Sequence, residues 1–262
     1  MSEGVIIIKV ITCVVIGAGY AGINAVKAIR KEFQGELQAL RLILIDKNAY
    51  HFRKVLLFKP TAVETEITVP LKQMFTEGVE LVQAAVVKIG SEEKTLLCRD
   101  TEMNEYTIHY DFLVVAIGSI LKQPEPDQGG IALTGLKAAK EIRETWRMNV
   151  KRAVKETNEE ERQRLMTIAV AGAGISGIET SAELSHFVRK DAAALGLNPD
   201  NVRICLVNAH SRLFPEGPAK VGLKLEHVLT DKGIRLIHGS RALQEKDGIL
   251  TLSNGERIPV GL

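Results

Sequence analysis

Two stretches of this chain read almost alike. Residues 12–22 are TCVVIGAGYAG and residues 167–177 are TIAVAGAGISG, a spacing of 155 residues (17 to 172). In each, an apolar, β-branched run enters a GxGxxG turn. Helical spacing follows in both: Ile23, Val26, Ile29 and Phe33 after the first turn, and Ile178, Ala182, Leu184, Phe187 and Val188 after the second. The likeness continues downstream. Arg41–Ile45 is a second strand ending at Asp46, and Arg203–Val207 is its counterpart, ending at Asn208. Val79–Gln83 and Ile234–His238 alternate as short strands, and each leads into a polar β-meander. Asn254-Gly255 marks a hairpin turn in the second meander.

The first meander passes through Ile108–Asp111 into Phe112–Gly118. The second reaches Ile258–Leu262, the end of this sequence. The repeat therefore leads us to expect a chain that stops mid-domain, without the element matching Leu113–Gly118. Losing such a strand would expose an apolar sheet edge and make solubility marginal. Between the copies, Leu136–Leu165 is highly charged and free of proline and glycine. It reads as one or two solvated helices with Ile142, Trp146, Val150 and Val154 on the buried side. Lys122–Gly130 is a breaker cluster and the expected linker.

The glycines have separable duties. The first permits the tight turn out of the strand, the second lets backbone approach a pyrophosphate, and the third lets helix and strand pack closely. The helix start then offers free N–H groups and a positive dipole end to phosphates. Gly17, Gly19 and Gly22 take these places in the first copy; Gly172, Gly174 and Gly177 take them in the second. One such motif alone is weak, because glycine turns also serve packing. Each here has the strand before and the helix after that the motif requires. A plain NAD dehydrogenase needs one; two imply a flavin and a nicotinamide dinucleotide between which hydride passes. The fold expected is α/β, with two Rossmann-like dinucleotide-binding domains carrying β-meander insertions and the last part missing. Residues 1–125 form the expected FAD domain, 126–165 a charged helical connection, and 166–262 the NAD(P)H domain.

The residue after the second strand separates the copies. Asp46 can accept hydrogen bonds from a ribose diol, or serve as a turn acid before Lys47-Asn48. The second copy has Asn208 there, followed by His210 and Arg212. Asparagine can hydrogen-bond a ribose hydroxyl and does not repel a phosphate, so discrimination between NADH and NADPH is expected to be weak. Ordinary loop solvation explains His210 and Arg212 equally well.

Composition removes other classes. In 262 residues, 34 basic and 32 acidic side chains give a net charge of +2, without the basic surplus of a nucleic-acid binder. Val5–Ile16, broken by Lys9 and Thr12, is too short to span a bilayer and lacks the basic start of a signal peptide. Cys13, Cys98 and Cys205 form no CxxC pair, which fits a reducing cytoplasm and speaks against the glutathione- and thioredoxin-reductase branch. Gly174–Gly177 does not complete GxSxG, and Gly217–Lys224 has Leu223 where a P-loop needs lysine. The six histidines show no metal spacing and read as surface or hydrogen-bonded structural residues.

The motifs GAGYAG at 17–22, YDFLVVAIGS at 110–119 and ERQRLMTIAVAGAGISGIETSAEL at 161–184 resemble those of the two-dinucleotide-binding-domain flavoproteins. Within that class the chain looks like the type II NADH dehydrogenases, single-subunit NADH:quinone oxidoreductases. The resemblance implies that Gly17, Ala18, Gly19, Tyr20, Ala21 and Gly22, with Asp46 and Lys47, hold the ADP half of FAD. It places Val86 near the adenine and makes Ala116, Ile117 and Gly118 a turn closing over the flavin nucleotide. Gly172, Ala173, Gly174, Ile175, Ser176 and Gly177 would hold the NAD(P)H pyrophosphate, with Asn208 at the ribose. Glu179 matches a glutamate that positions nicotinamide; read alone, it is a first-turn helix acid favoured by the dipole. His51 stands apart from the other histidines because the resemblance puts its loop near the flavin.

The chain also departs from the pattern. Residues 50–64 keep Leu56-Leu57 but lack the glycine that usually follows, and Asn208 replaces a carboxylate. The family continues beyond residue 262 with a flavin-touching Gly-Asp motif, a quinone-site segment and a tail that sits peripherally on membranes. Quinone or another small acceptor is the implied partner. Two alternatives remain open: a ferredoxin-reductase-like or apoptosis-inducing-factor-like flavoprotein with another acceptor, and a truncated, non-catalytic nucleotide-binding remnant.

Overall fold

The computed structural model describes residues 10–33, 39–119, 124–125 and 127–262. The start of the apolar run (5–9) and residues 122, 123 and 126 of the expected linker lie outside the described residues. Compactness divides the chain into one unit of Met1–Arg53 with Ile67–Ile120 and another of Lys54–Glu66 with Leu121–Leu262.

In chain order the first unit holds β1 (Ile11–Ile16), α1 (Tyr20–Glu32), β2 (Leu40–Asp46), β3 (Tyr50–Phe52), β4 (Thr68–Pro70), α2 (Leu71–Met74), β5 (Glu80–Gln83), β6 (Ala85–Gly90), β7 (Thr95–Arg99), β8 (Glu105–His109) and β9 (Phe112–Val115). A parallel sheet runs in the order β5-β2-β1-β9. Its central strands are buried on both faces, which is why Val14–Ile16 and Leu42–Ile45 read as unbroken apolar runs. Alternate side chains divide between the faces. Cys13, Val15, Leu42 and Leu44 pack with Ile23 and Val26 of α1, while Val14, Ile16, Ile43 and Ile45 pack with Leu96 and Cys98 of the β6-β7-β8 meander. The sheet is thus sandwiched between a helix and a meander.

The second unit repeats the plan. Its elements are α3 (Leu136–Lys155), α4 (Glu159–Leu165), β10 (Thr167–Ala171), α5 (Ile175–Ala194), β11 (Arg203–Val207), α6 (Ala219–Asp231), β12 (Ile234–Ile237), β13 (Ala242–Lys246), β14 (Ile249–Leu252) and β15 (Arg257–Pro259). Strands β10, β11 and β12 form a parallel sheet in that order. Leu250, Leu252 and Ile258 of the meander cover Cys205, Val207 and Ile237, and the other face buries Ile204 and Leu206 with Leu184 and Val188 of α5. Asn254-Gly255 turns the β14–β15 hairpin, with Gly255 at φ +87.

Gly261 donates to Thr167 O at 2.9 Å and Ala169 to Leu262 O at 2.8 Å, alongside β10. The matching position beside β1 belongs to Asp111, which donates to Thr12 O at 2.8 Å, and then to β9. Among the described residues no further strand flanks β10.

Helix α3 is not a free connection. Its Ile142, Trp146 and Val150 enter the core of the second unit, and Trp146 Nε1 donates to Thr61 O at 2.9 Å. Ala153 is buried there, whereas Val154 is 45% exposed, contrary to the expectation from sequence. At 100° per residue, 153 stays on the stripe of 142, 146 and 150, and 154 falls outside it.

Candidate functional site

The first glycine turn is shaped by close approach. Gly17 has φ +99, and a Cβ on it would stand 2.5 Å from Ala116 O. A Cβ on Gly22 would overlap Gly17 O, whereas one on Gly19 meets nothing within 4 Å. Backbone is therefore packed where the first and third glycines lie and open where the second lies, a cradle suited to phosphate. Asp46 Oδ2 accepts the Ala18 N–H at 2.7 Å, and its Oδ1 accepts the Asn48 N–H at 2.8 Å. Lys47 is exposed beside it. Ala84 donates to Asp46 O at 3.0 Å, and half-buried Val86, two positions past Ala84, is the second residue of β6. Ile117 is 73% exposed and Gly118 turns at φ +73. Tyr20 is 44% exposed, with its ring set edge-on to His51 at 4.9 Å.

The second turn repeats the cradle. Gly172 has φ +102, a Cβ on Gly177 would overlap Gly172 O, and one on Gly174 meets nothing within 4 Å. Gly172 donates to Val207 O at 3.0 Å as Gly17 donates to Ile45 O at 2.7 Å. One difference is plain: a Cβ on Gly172 would meet nothing within 4 Å, because among the described residues no counterpart of Ala116 covers it. Ala173, exposed Ile175 and exposed Ser176 complete the turn. A groove of about 670 Å³ runs along β10 past Gly172, Gly174, Ser176 and Gly177. Thr180 lines it, and its buried Oγ1 has no partner among the described residues. A larger hollow of about 1410 Å³ is lined by Thr167 and Arg203 at the N-terminal ends of β10 and β11 and by no motif residue. Dinucleotides meet parallel sheets at their carboxyl ends, so the smaller groove is the relevant one.

The turn helices start without a side-chain cap or a first-turn acid, as α2, α3 and α6 also do, and only their position directly after a glycine turn sets them apart. Short α4 is capped by Asn158, which accepts from Glu161 N, and carries Glu159, Glu160 and Glu161 in its first turn. Helices α1 and α5 start at Gly19 and Gly174 with no side-chain cap and no acid in the first turn. Their N–H groups and positive dipole ends are left for an outside anion.

Two readings change. Glu179 is the fifth residue of α5, past its first turn, so the dipole does not explain it. Burial pushes its carboxyl above the usual glutamate range. The sequence reading puts Asn208 at a ribose hydroxyl. Its side chain instead turns inward, buried to 3% exposure, donating to Arg212 O at 2.9 Å, meeting His238 Nδ1 at 3.0 Å and accepting from His210 N at 3.1 Å. Arg212 in turn donates to the carbonyls of Phe214, Pro215 and Gly217. Both residues shape the loop after β11. His51, the histidine set apart because its loop was expected near the flavin, is buried and hydrogen-bonded against the first turn. No metal-binding cluster occurs among the described residues, and no helix among them is long and apolar enough to cross a membrane.

A family model of the pyridine nucleotide-disulphide oxidoreductases matches residues 11–262. The chain belongs to that family. It is a family of FAD- and NAD(P)H-dependent oxidoreductases. A type II NADH:quinone oxidoreductase of Staphylococcus haemolyticus is 25% identical over 93% of this chain and 60% of its own length. A probable NADH dehydrogenase of Dictyostelium discoideum is 29% identical over 69% of this chain and 42% of its own. The solved structure of NDH2 from Plasmodium falciparum in complex with NADH superposes with a TM-score of 0.78 at 16% identity, covering 96% of this chain and 53% of that one. It shares the fold, two Rossmann-like domains with meander insertions. The chain spans about half the length of the relatives it matches.

Proposed function

We propose that this chain is the dinucleotide-binding part of an NAD(P)H dehydrogenase, with FAD at the first glycine turn and NAD(P)H at the second. The domain around residues 1–125 would hold the flavin and that around 166–262 the nicotinamide, with quinone as the acceptor beyond them. One observation carries the reading: each turn helix leaves its strand through a turn packed between the first and third glycines and open at the second, with no side-chain cap on the helix start. The quinone assignment leans on the relatives named NADH:quinone oxidoreductases.

Bound FAD supplies the hydride-accepting chemistry, so the protein's work is binding, orientation and electrostatics. The N–H groups at the start of α1 would meet the FAD pyrophosphate, and Asp46 the adenosine ribose while it holds Ala18. The Ala116–Gly118 turn closes against Gly17 and would screen that side of the cradle. The start of α5 would take the NAD(P)H pyrophosphate. Glu179 would position nicotinamide as a hydrogen-bonding group whose proton is held more tightly than in water.

The visible spectrum of the purified protein, before and after anaerobic NADH, tests this. A flavin band near 450 nm that bleaches is the expected result. Failure to take up added FAD would refute the reading and leave a nucleotide-binding remnant.

A further inference from the structure

The two turns are built alike in their glycines but are held differently. In the first, Asp46 Oδ2 accepts the Ala18 N–H, and His51 Nδ1 lies 2.7 Å from Ala18 O. A carbonyl can only accept, so Nδ1 carries the proton and His51 is the donor. The ring is 4% exposed, on β3, where His51 pairs with Val69 of β4. Two consecutive peptides are thus pinned by two side chains, one through its N–H and one through its C=O. In the second turn, Ala173 has neither bond among the described residues.

Pinning Ala18 O has a consequence for ligand binding. In a trans peptide the C=O and the next N–H point in opposite directions, and no cis bond occurs among the described residues. Fixing Ala18 O on His51 therefore fixes the direction of the Gly19 N–H, at the one glycine of the turn with open space beside it. A donor already aimed costs less to order when an anion arrives.

We propose that His51 is a positioning residue for FAD, holding the Gly19 N–H in its phosphate-binding direction through Ala18. The inference rests on FAD binding at the first turn. His51 touches the turn from behind and has no part in hydride transfer.

Two substitutions separate hydrogen bonding from packing. His51→Phe keeps a ring against Tyr20 but removes the donor. His51→Asn is smaller but places an amide N–H where Nδ1 stands. FAD affinity, read by the change in flavin fluorescence on titrating the protein, should fall about tenfold or more in His51→Phe. It should stay within about threefold of wild type in His51→Asn. The opposite order, or equal affinity in all three proteins, would overturn the proposal while leaving flavin binding intact. A wild-type protein that binds no FAD would sink both this inference and the proposed function. Should His51→Phe fail to fold, wild-type protein labelled with ¹⁵N-histidine supplies a second reading. A slowly exchanging Nδ1 proton is required there, and its absence overturns the proposal.

Discussion

Asp46 Oδ2 accepts the N–H of Ala18 at 2.7 Å. The carboxylate expected at a ribose is a brace for the glycine turn, and its reading as a turn acid before Lys47-Asn48 describes this arrangement. Asp46→Ala should cost about 1–3 kcal/mol of stability, because the Ala18 and Asn48 N–H groups both lose their acceptor. Urea denaturation of the FAD-free protein measures this. A loss of FAD with unchanged stability would leave the ribose role alone.

Gly22 and Gly177 allow their helices to pass against the carbonyls of Gly17 and Gly172. Gly22→Ala should abolish flavin retention while NADH still binds; Gly177→Ala should do the reverse. Flavin absorbance and quenching of NADH fluorescence on the same samples give both answers. Loss of both ligands in each variant would mean that the turns do not serve separate nucleotides.

Glu179 carries a pH dependence whose sign follows from its burial. Its folded carboxyl holds a proton more tightly than the unfolded one, so its contribution is fully present in acid and is lost as pH rises through the folded value. Glu179→Gln should therefore gain on wild type at neutral pH, and the gain should shrink towards about pH 4. Thermal unfolding at several pH values checks it; a gain that grows in acid would contradict the burial argument.

Asn208 leaves the end of β11 without a carboxylate to repel a 2′-phosphate. The ratio of kcat/KM for NADH over NADPH, measured with a dye acceptor, should stay below about a hundredfold. A larger ratio would require a discriminating group elsewhere on the second unit.

Cys13, Cys98 and Cys205 are free and buried, and burial raises all three thiols above their ordinary range. They should stay protonated and react with a disulfide reagent at least about a hundredfold more slowly in native than in urea-unfolded protein. A fast-reacting native thiol would show that one of them reaches solvent.

Much of this molecule is legible in the linear chain because its decisive elements are local. Strand, glycine turn and helix are contiguous in each copy, and the packing duty of Gly22 against Gly17 spans only five positions (17 to 22). Val14–Ile16 and Leu42–Ile45 announce parallel strands buried on both faces without further help. Asn208 shows where that reach ends. Its residue type permits a ribose contact, and only the proximity of Arg212, His210 and His238 turns the amide inward. Val154 fails for a smaller reason: an apolar residue one step off a helical stripe cannot be told from one on it until the partner face is known.

The repeat and the two cradles were thus set by short-range pattern, since period and glycine spacing are properties of neighbouring residues. What the folded chain alone decided is which side chains reach those cradles from afar. His51 meets Ala18 across 33 positions (18 to 51), and Ala116 covers Gly17 across 99 (17 to 116). Those meetings depend on which strand lies beside which. Strand order is an outcome of packing the whole sheet, and no local stretch of sequence contains it.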